Sequence, residues 1–438
     1  MKKVLVLGAG LVSGPLVHYL LDQPGFEVTV ASRTVEKAQR IVGSAKNGVA
    51  KQVDVSDEKD LENLISQADL SISLLPFVYH PLVARLCVKH KRQMVTASYV
   101  KDEMRALDEQ AKQAGVVLLN EIGVDPGIDH MSAMRVIDSI RSNGGELESF
   151  TSYCGGLPAP DANDNPFGYK FSWSPRGVVL AGKNPARYLR SGEIVDIPGE
   201  DLFANNWLVE IEGFGQLEAY PNRDSLPYIE TYGIHGVKGM LRGTLRYPGW
   251  CETLKKIAEL GLLDETEGGD LSDLTLYQFT AKMVNSSGDL RSDIAKFLSV
   301  KRDSAVISNL EWLGLFGDDP VAQNAKSPVD VIAARMLDMM QYAPGEKDML
   351  VMQHEFIARY PDRKEKTIST MIDYGIPNGD TSMSRTVGLP AAIATRLILE
   401  GKISMTGVQV PVTPQIYEPV LDELESMGIR FSEKTEEI

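Results

Sequence analysis

Residues 1–14 read MKKVLVLGAGLVSG, and the order of residue types in that stretch decides the fold of the amino-terminal part of the chain. The apolar run Val4–Leu7 reads as a strand, Gly8-Ala9-Gly10 follows at once, and a helical pattern starts near Leu11. A strand that passes through a glycine turn into a helix N-terminus aims backbone N–H groups and the positive helix end at an anion. Gly8 permits the tight turn, and the missing side chain at Gly10 lets a pyrophosphate reach the backbone, so the chain is expected to open on a dinucleotide site. Ser13 stands where the third glycine of the G-x-G-x-x-G fingerprint falls.

Working outward, strand candidates Val4–Leu7, Val28–Ala31, Ala50–Val53, Leu70–Leu74, Met94–Thr96 and Val116–Leu119 alternate with helical patterns. Those patterns are Leu11–Leu21, Val35–Ile41, Leu61–Ala68, Leu82–His90 and Glu103–Gln113. The alternation predicts an α/β, Rossmann-type doubly wound parallel sheet with its ligand loops along one edge. NAD sites carry a carboxylate at the end of the second strand to accept the ribose 2′-OH. Here that position reads Ser32-Arg33-Thr34, a planar cation between two hydroxyls. That chemistry suits a 2′-phosphate, which favours NADP(H) over NAD(H). Asp54-Val55 is placed to meet the adenine edge, although Asp54 serves equally well as the cap of a helix over Ser56–Leu64. Leu74-Leu75-Pro76 is placed beside the diphosphate or the nicotinamide ribose.

From about residue 145 the texture changes. Glu148–Tyr153 and Trp207–Ile211 read as strands separated by Gly/Pro-rich loops such as Gly155–Pro160. Helical periodicity then dominates, over Cys251–Glu259, Leu274–Met283, Leu290–Leu298, Ala305–Leu313 and Val329–Met340. Strand-like segments return at Met349–Ile357 and Thr367–Asp373, followed by a helix over Ser384–Glu400. The expected organisation is a Rossmann domain over 1–125 with a C-terminal segment of about 385–438, a mixed-sheet α/β substrate and dimerisation domain over 126–249 and 341–384, and an all-helical insertion over 250–340.

A chain of 438 residues exceeds one core, and 43% hydrophobic with 24% charged residues is a globular composition. Only four apolar residues separate Lys2-Lys3 from the glycine turn, which is no signal-peptide pattern, and no run is long enough to span a bilayer. Cys87, Cys154 and Cys251 are too scattered for a disulfide framework or a metal site, so a cytoplasmic protein without a metal is expected. A net charge of −15 argues against nucleic acid, and any anionic substrate must be met by locally placed arginines. A homodimer is the default assembly.

Candidate substrate segments are Val95–Tyr99, Asn120–His130, Tyr220–Ser225 and Leu241–Tyr247, the last two placing Arg223 and Arg242 in turn-like contexts. With Ser152–Pro160, Gly168–Ser174, Glu311–Phe316 and Thr386–Pro390, these strings resemble the saccharopine reductase family, the glutamate-forming saccharopine dehydrogenases of lysine metabolism, over essentially the whole chain. The resemblance implies that 2-aminoadipate 6-semialdehyde and glutamate condense to an imine that a nicotinamide cofactor reduces to saccharopine, or the reverse. It implies cofactor contacts at Gly10, Leu11, Val12, Ser32, Arg33, Thr34, Asp54, Val55, Leu75, Val124, Asp125 and Pro126, to which Gly8 is added from the turn itself. It implies substrate contacts at Ser98, Tyr99, Asp125, Arg223, Arg242, Gly243 and Thr244.

The residue chemistry agrees with that assignment. Saccharopine carries three carboxylates and two amines; Arg223 and Arg242 can each grip a carboxylate bidentately, with Ser98 and Thr244 taking further oxygens. Asp125 can accept from an ammonium, and Tyr99 can position or protonate the linking nitrogen, which makes these two the candidate catalytic residues. Cys154, in a loop near the cleft, reads as a buried inert thiol, and His130 as a structural hydrogen-bonding group. A related imine reductase acting on a polyamine-type substrate, such as carboxynorspermidine dehydrogenase, would need acidic residues where Arg223 or Arg242 contacts the second carboxylate, and both arginines are present. A non-catalytic nicotinamide-binding protein would not need the substrate constellation at all.

Overall fold

The computed structural model describes residues 1–173, 175–286 and 288–438; Ser174, the end of the string that begins at Gly168, lies outside the described residues. The chain divides into two compact units, Met1–Glu146 with Met371–Ser432 and Leu147–Thr370 with Glu433–Ile438.

In the first unit the strands are β1 (Lys2–Leu7), β2 (Phe26–Ser32), β3 (Gly48–Gln52), β4 (Leu70–Ser73), β5 (Gln93–Val95) and β6 (Val117–Leu119), with Gly407–Gln409 added from the C-terminal part. Their order is Gly407–Gln409, β6, β5, β4, β1, β2, β3, and every neighbouring pair is parallel. Valines and leucines such as Val4, Val6, Val28 and Leu70 are buried, as strands covered by helices on both faces require. The strand order reverses between β1 and β4, and ligands of such sheets bind outside the carboxyl ends at that reversal.

Three local expectations need correction here. The first helix starts at Ser13 rather than Leu11, whose side chain is exposed. The single helix expected over Glu103–Gln113 is two, Asp102–Arg105 and Asp108–Ala114; at the break the Leu107 amide bonds to Met104 in a tighter i−3 turn while both side chains stay buried. Asp54 caps no helix. The helix begins at Glu58 and its cap is Asp57, which accepts the Lys59 and Asp60 amides, whereas Asp54 folds back on the Ser56 amide and hydroxyl at 3.0 and 2.7 Å.

The second unit is built on β7 (Glu146–Pro158), β8 (Ala186–Arg190), β9 (Glu193–Ile197), β10 (Trp207–Ile211), β11 (Gly215–Pro221), β12 (Gly239–Arg246), β13 (Asp348–Arg359) and β14 (Lys364–Tyr374). The sheet runs β10, β11, β12, β7, β13, β14, Ser432–Glu437, with the β8–β9 hairpin attached to β12. It is mixed, because β12 is parallel to β7 and antiparallel to β11. Gly155–Pro158 and Cys154, expected in a loop, belong to β7. A Cβ on Gly155 would stand 2.6 Å from the Leu245 carbonyl oxygen, so this glycine serves a close strand approach and not a turn. Arg242, expected in a turn, lies inside β12. Between 250 and 340 the described residues form the helices Trp250–Glu259, Leu276–Val284, Leu290–Phe297, Ala305–Trp312 and Pro328–Met339. Trp250 is buried against the rings of Phe167 and Tyr169. Among the described residues no helix is long and apolar enough to cross a membrane, and no cluster of His, Cys, Asp and Glu is placed to hold a metal ion.

Candidate active site

The glycine turn after β1 is tight because Gly8 has φ +114°, and a Cβ there would stand 3.0 Å from the Leu74 carbonyl oxygen at the end of β4. At Gly10 a Cβ would meet nothing within 4 Å, so the turn leaves open space above its backbone. Ser13 is fully buried and donates its hydroxyl to the Gly10 carbonyl at 2.7 Å. Val12 provides no side-chain cap; the Ser13 amide donates to the Gly10 carbonyl at 3.4 Å and Pro15 carries no amide hydrogen, so the amide that the helix start can offer an anion is that of Gly14. At the end of β2, Arg33 and Thr34 are exposed and Ser32 half-buried, with the Thr34 amide donating to Ser32 Oγ at 3.3 Å. The Ser56 amide and hydroxyl hold the Asp54 carboxyl below its ordinary range, and the Arg33 charge adds to this. An open cradle, an uncapped helix start and a cation flanked by hydroxyls fit an NADP(H) diphosphate and 2′-phosphate.

Two further loops leave the same sheet edge. After β5, the Ser98 amide donates to Thr96 Oγ1 at 3.3 Å, its carbonyl accepts the Glu121 amide at 3.1 Å, and its hydroxyl oxygen lies 2.7 Å from His80 Nε2. Tyr99 donates its hydroxyl to Asp125 Oδ1 across a long 3.3 Å contact, so the structure brings the two candidate catalytic residues together. Asp125 opens a turn with a cis Asp125–Pro126 bond, closed by the Gly123 amide on the Pro126 carbonyl at 2.9 Å. Behind it, Glu121 accepts the Val100 amide on Oε1 and faces His130 Nε2 across 2.8 Å with Oε2. Asp129 accepts the Gly127 and His130 amides. Glu121, Asp129 and His130 therefore fix the backbone that presents Tyr99 and Asp125. Beside Tyr99 is a cavity of about 330 Å³ lined by Phe77, His80, Lys101 and Met104. His80, which sequence reasoning missed, is buried, and burial pushes its imidazole down to about 4. Its only signal in the sequence was a histidine opening the helix that follows β4.

In the second unit Arg223 is exposed, in the turn after β11, with φ +55°. The Asn222 amide donates to the Arg242 carbonyl at 2.8 Å and the Arg242 amide to Ser225 Oγ at 2.9 Å, which stitches that turn beside β12. Arg242 is buried, stacks over the Tyr228 ring at 4.4 Å and donates to the Tyr228 hydroxyl at 2.8 Å. A Cβ at Gly243 would stand 2.8 Å from the Tyr153 ring, so this position between Arg242 and Thr244 tolerates no side chain. Cys154 pairs in register with Thr244 and is buried. A cavity of about 450 Å³ in this unit is lined by residues that include Thr151, Tyr153, Trp207 and Leu241. Arg242 is not among the residues that line it.

Residues 4–119 match the saccharopine dehydrogenase NADP binding domain and residues 123–429 the saccharopine dehydrogenase C-terminal domain. The chain belongs to the saccharopine dehydrogenase family. Within that family it is 40% identical over 446 residues to saccharopine dehydrogenase [NADP(+), L-glutamate-forming] of Schizosaccharomyces pombe, covering 99% of both chains. It is 40% identical over 443 residues to the mitochondrial alpha-aminoadipic semialdehyde synthase of Bos taurus, covering 98% of this chain but 47% of that longer protein. The solved structure of the apo, histidine-tagged saccharopine dehydrogenase (L-Glu forming) from Saccharomyces cerevisiae superposes with a TM-score of 0.91 at 36% identity over 100% of both chains.

Proposed function

We propose that the chain is a saccharopine reductase, interconverting saccharopine with L-2-aminoadipate 6-semialdehyde and L-glutamate with NADP(H) as redox partner. The observation that carries this reading is the likeness, along 99% of both chains, to the S. pombe enzyme of that name. When bound, NADPH would supply the hydride that, with a proton on nitrogen, reduces the imine to the secondary amine of saccharopine. Gly8, Gly10, Leu11, Val12, Ser32, Arg33, Thr34, Asp54, Val55, Leu75, Val124, Asp125 and Pro126 are proposed to hold it.

Saccharopine is assigned to Ser98, Tyr99 and Asp125 and to Arg223, Arg242, Gly243 and Thr244. The arginines neutralise carboxylates, and Gly243 and Thr244 follow Arg242 on the same strand. Asp125 attracts the cationic nitrogen of the imine, and Tyr99, already donating to Asp125, orients that carboxylate. The chain's own contribution is positioning and exclusion of water, since imine formation is inherent in an aldehyde and an amine held together. In this reading residues 1–125 with 385–438 serve the cofactor, 126–249 with 341–384 the substrate and the dimer contact, and 250–340 form the helical domain. A cytoplasmic homodimer is proposed with it, and three buried cysteines without disulfides support a reducing compartment.

Steady-state kinetics test the assignment. Arg223→Ala should raise the saccharopine KM at least about tenfold, the loss of a charge-assisted contact, and leave the NADPH Kd unchanged. Arg242→Ala should do the same and also lower the Tm, because Tyr228 loses its partner. Equal weakening of substrate and cofactor would refute the assignment, and failure to reduce NADP⁺ with saccharopine would refute the function.

A further inference from the structure

Ser73, His80 and Ser98 form a hydrogen-bonded chain across the carboxyl ends of β4 and β5. His80 Nδ1 lies 2.8 Å from Ser73 Oγ and His80 Nε2 lies 2.7 Å from Ser98 Oγ. A neutral imidazole has one N–H and one bare nitrogen, so the chain has two readings, and they give Ser98 opposite roles. If Nδ1 carries the proton, Nε2 accepts from Ser98, and the serine presents only lone pairs outward. If Nε2 carries it, Ser98 accepts from the ring, and its own O–H is left to donate.

The geometry around Ser73 decides between them. Ser73 is 1% exposed, and among the described residues its hydroxyl has no hydrogen-bond partner except His80 Nδ1. A proton on Nδ1 would leave the Ser73 O–H buried without an acceptor, a loss that folded proteins avoid. Ser73 therefore donates to Nδ1, and the ring proton stands on Nε2. The ring cannot escape by charging, because it is 3% exposed with a hydroxyl on each nitrogen, and among the described residues no carboxylate is hydrogen-bonded to it. Thr96 fixes the frame by donating to the Ser73 carbonyl at 2.9 Å while accepting the Ser98 amide at 3.3 Å. The Ser98 amide, carbonyl and one hydroxyl lone pair are thus engaged, and its hydroxyl hydrogen is left to donate from a half-buried side chain at the ligand edge.

We infer that His80 is a positioning residue whose fixed Nε2–H tautomer frees the Ser98 O–H to donate outward, which assigns Ser98 to a carboxylate of the substrate. This rests on the proposal above that Ser98 touches saccharopine. The three residues lie 7 and 18 positions apart in sequence and meet only because β4 and β5 are neighbours.

The test has two arms. Long-range ¹H–¹⁵N correlation on the full chain labelled at histidine, with His80 assigned by its loss in His80→Gln, should show the Nε2–H neutral tautomer from pH 6 to 8. An Nδ1–H tautomer or an imidazolium in that range overturns the inference. In kinetics, Ser98→Ala and His80→Leu should each raise the saccharopine KM about tenfold with the NADPH Kd within about twofold of wild type. The double variant should be no worse than either single one. His80→Gln, whose amide N–H reaches the place of Nε2–H, should recover most of the loss. Wild-type KM in His80→Leu, additive effects, or NADPH weakened as much as saccharopine overturn the role of His80 and leave the substrate assignment standing. An unchanged KM in Ser98→Ala overturns the assignment of Ser98 itself, whatever tautomer is measured.

Discussion

Replacing Gly8 and Gly10 separately by alanine should split folding from cofactor binding within a single turn. At Gly8 the backbone has φ +114° and a Cβ would press on the Leu74 carbonyl at 3.0 Å and on Leu74 Cβ at 3.3 Å. The left-handed conformation alone costs an L-residue about 1–2 kcal/mol, and the backbone contact raises the loss to roughly 2–4 kcal/mol. Such a loss should lower the Tm of the unliganded protein by about 5–10 °C. At Gly10 the backbone is not left-handed and a Cβ meets nothing within 4 Å, so the unfolded chain loses freedom at no native expense. The unliganded Tm should stay level or rise with a gain of up to about 1 kcal/mol. The same methyl occupies the space through which a pyrophosphate reaches the backbone, and a tenfold rise in NADPH Kd corresponds to about 1.4 kcal/mol of lost contact. Differential scanning fluorimetry without cofactor and a fluorescence titration with NADPH measure the two effects. Wild-type NADPH affinity in Gly10→Ala, or a Tm loss as large as that of Gly8→Ala, would refute the reasoning.

Arg33→Ala should raise the NADPH Kd by about tenfold or more and leave the NADH Kd almost unchanged, which paired titrations measure; equal losses would place Arg33 away from the 2′-phosphate. Asp57→Ala should lower the Tm because two helix amides lose their acceptor, whereas Asp54→Ala, outside the helix, should not. The imidazole of His80, held near 4 in the fold against an ordinary value of 6.5, makes stability fall with acid. Its contribution is complete above pH 6.5. Between pH 6.5 and 4 the unfolded chain takes up a proton that the folded chain refuses, a loss of up to about 3 kcal/mol. Urea midpoints should therefore fall less over this range in His80→Gln than in wild type, and an identical slope would contradict the burial argument.

The parallel sheet was legible because its strands are apolar and its helices return at regular intervals. The second sheet was legible only in part, and β12 shows why. Its sequence Gly239-Met240-Leu241-Arg242-Gly243-Thr244-Leu245-Arg246 offers two glycines and two arginines, which locally read as a turn. The strand exists because partners elsewhere in the chain absorb those residues. Tyr228 takes the Arg242 guanidinium, Tyr169 and Trp250 lie 4.9 and 5.4 Å from that of Arg246, and neighbouring strands need the space that Gly243 leaves. The site follows the same rule. Arg223, Ser98, Tyr99 and Asp125, the residues proposed for the substrate, stand in unusual local strings; His80 meets Ser73 and Ser98 only after β4 and β5 pair.

The third position of the opening fingerprint is filled by a serine that the turn itself accommodates. In the usual motif a glycine there allows the helix to pack closely against the strand. Here Ser13 occupies the position, fully buried, and spends its hydroxyl inside the turn on the Gly10 carbonyl. A close approach at the start of this helix is made by the helix Ser382–Leu399, where a Cβ on Gly388 would stand 2.9 Å from the Val12 carbonyl and 3.3 Å from Leu16 Cβ. Gly388 thus lets a second helix pack against the residues that follow the glycine turn, and Ser13 adds a hydrogen bond that a glycine cannot make. The departure at Ser13 stands beside a turn in which Gly8 keeps its positive φ and Gly10 its open space, the two features through which a pyrophosphate reaches the backbone.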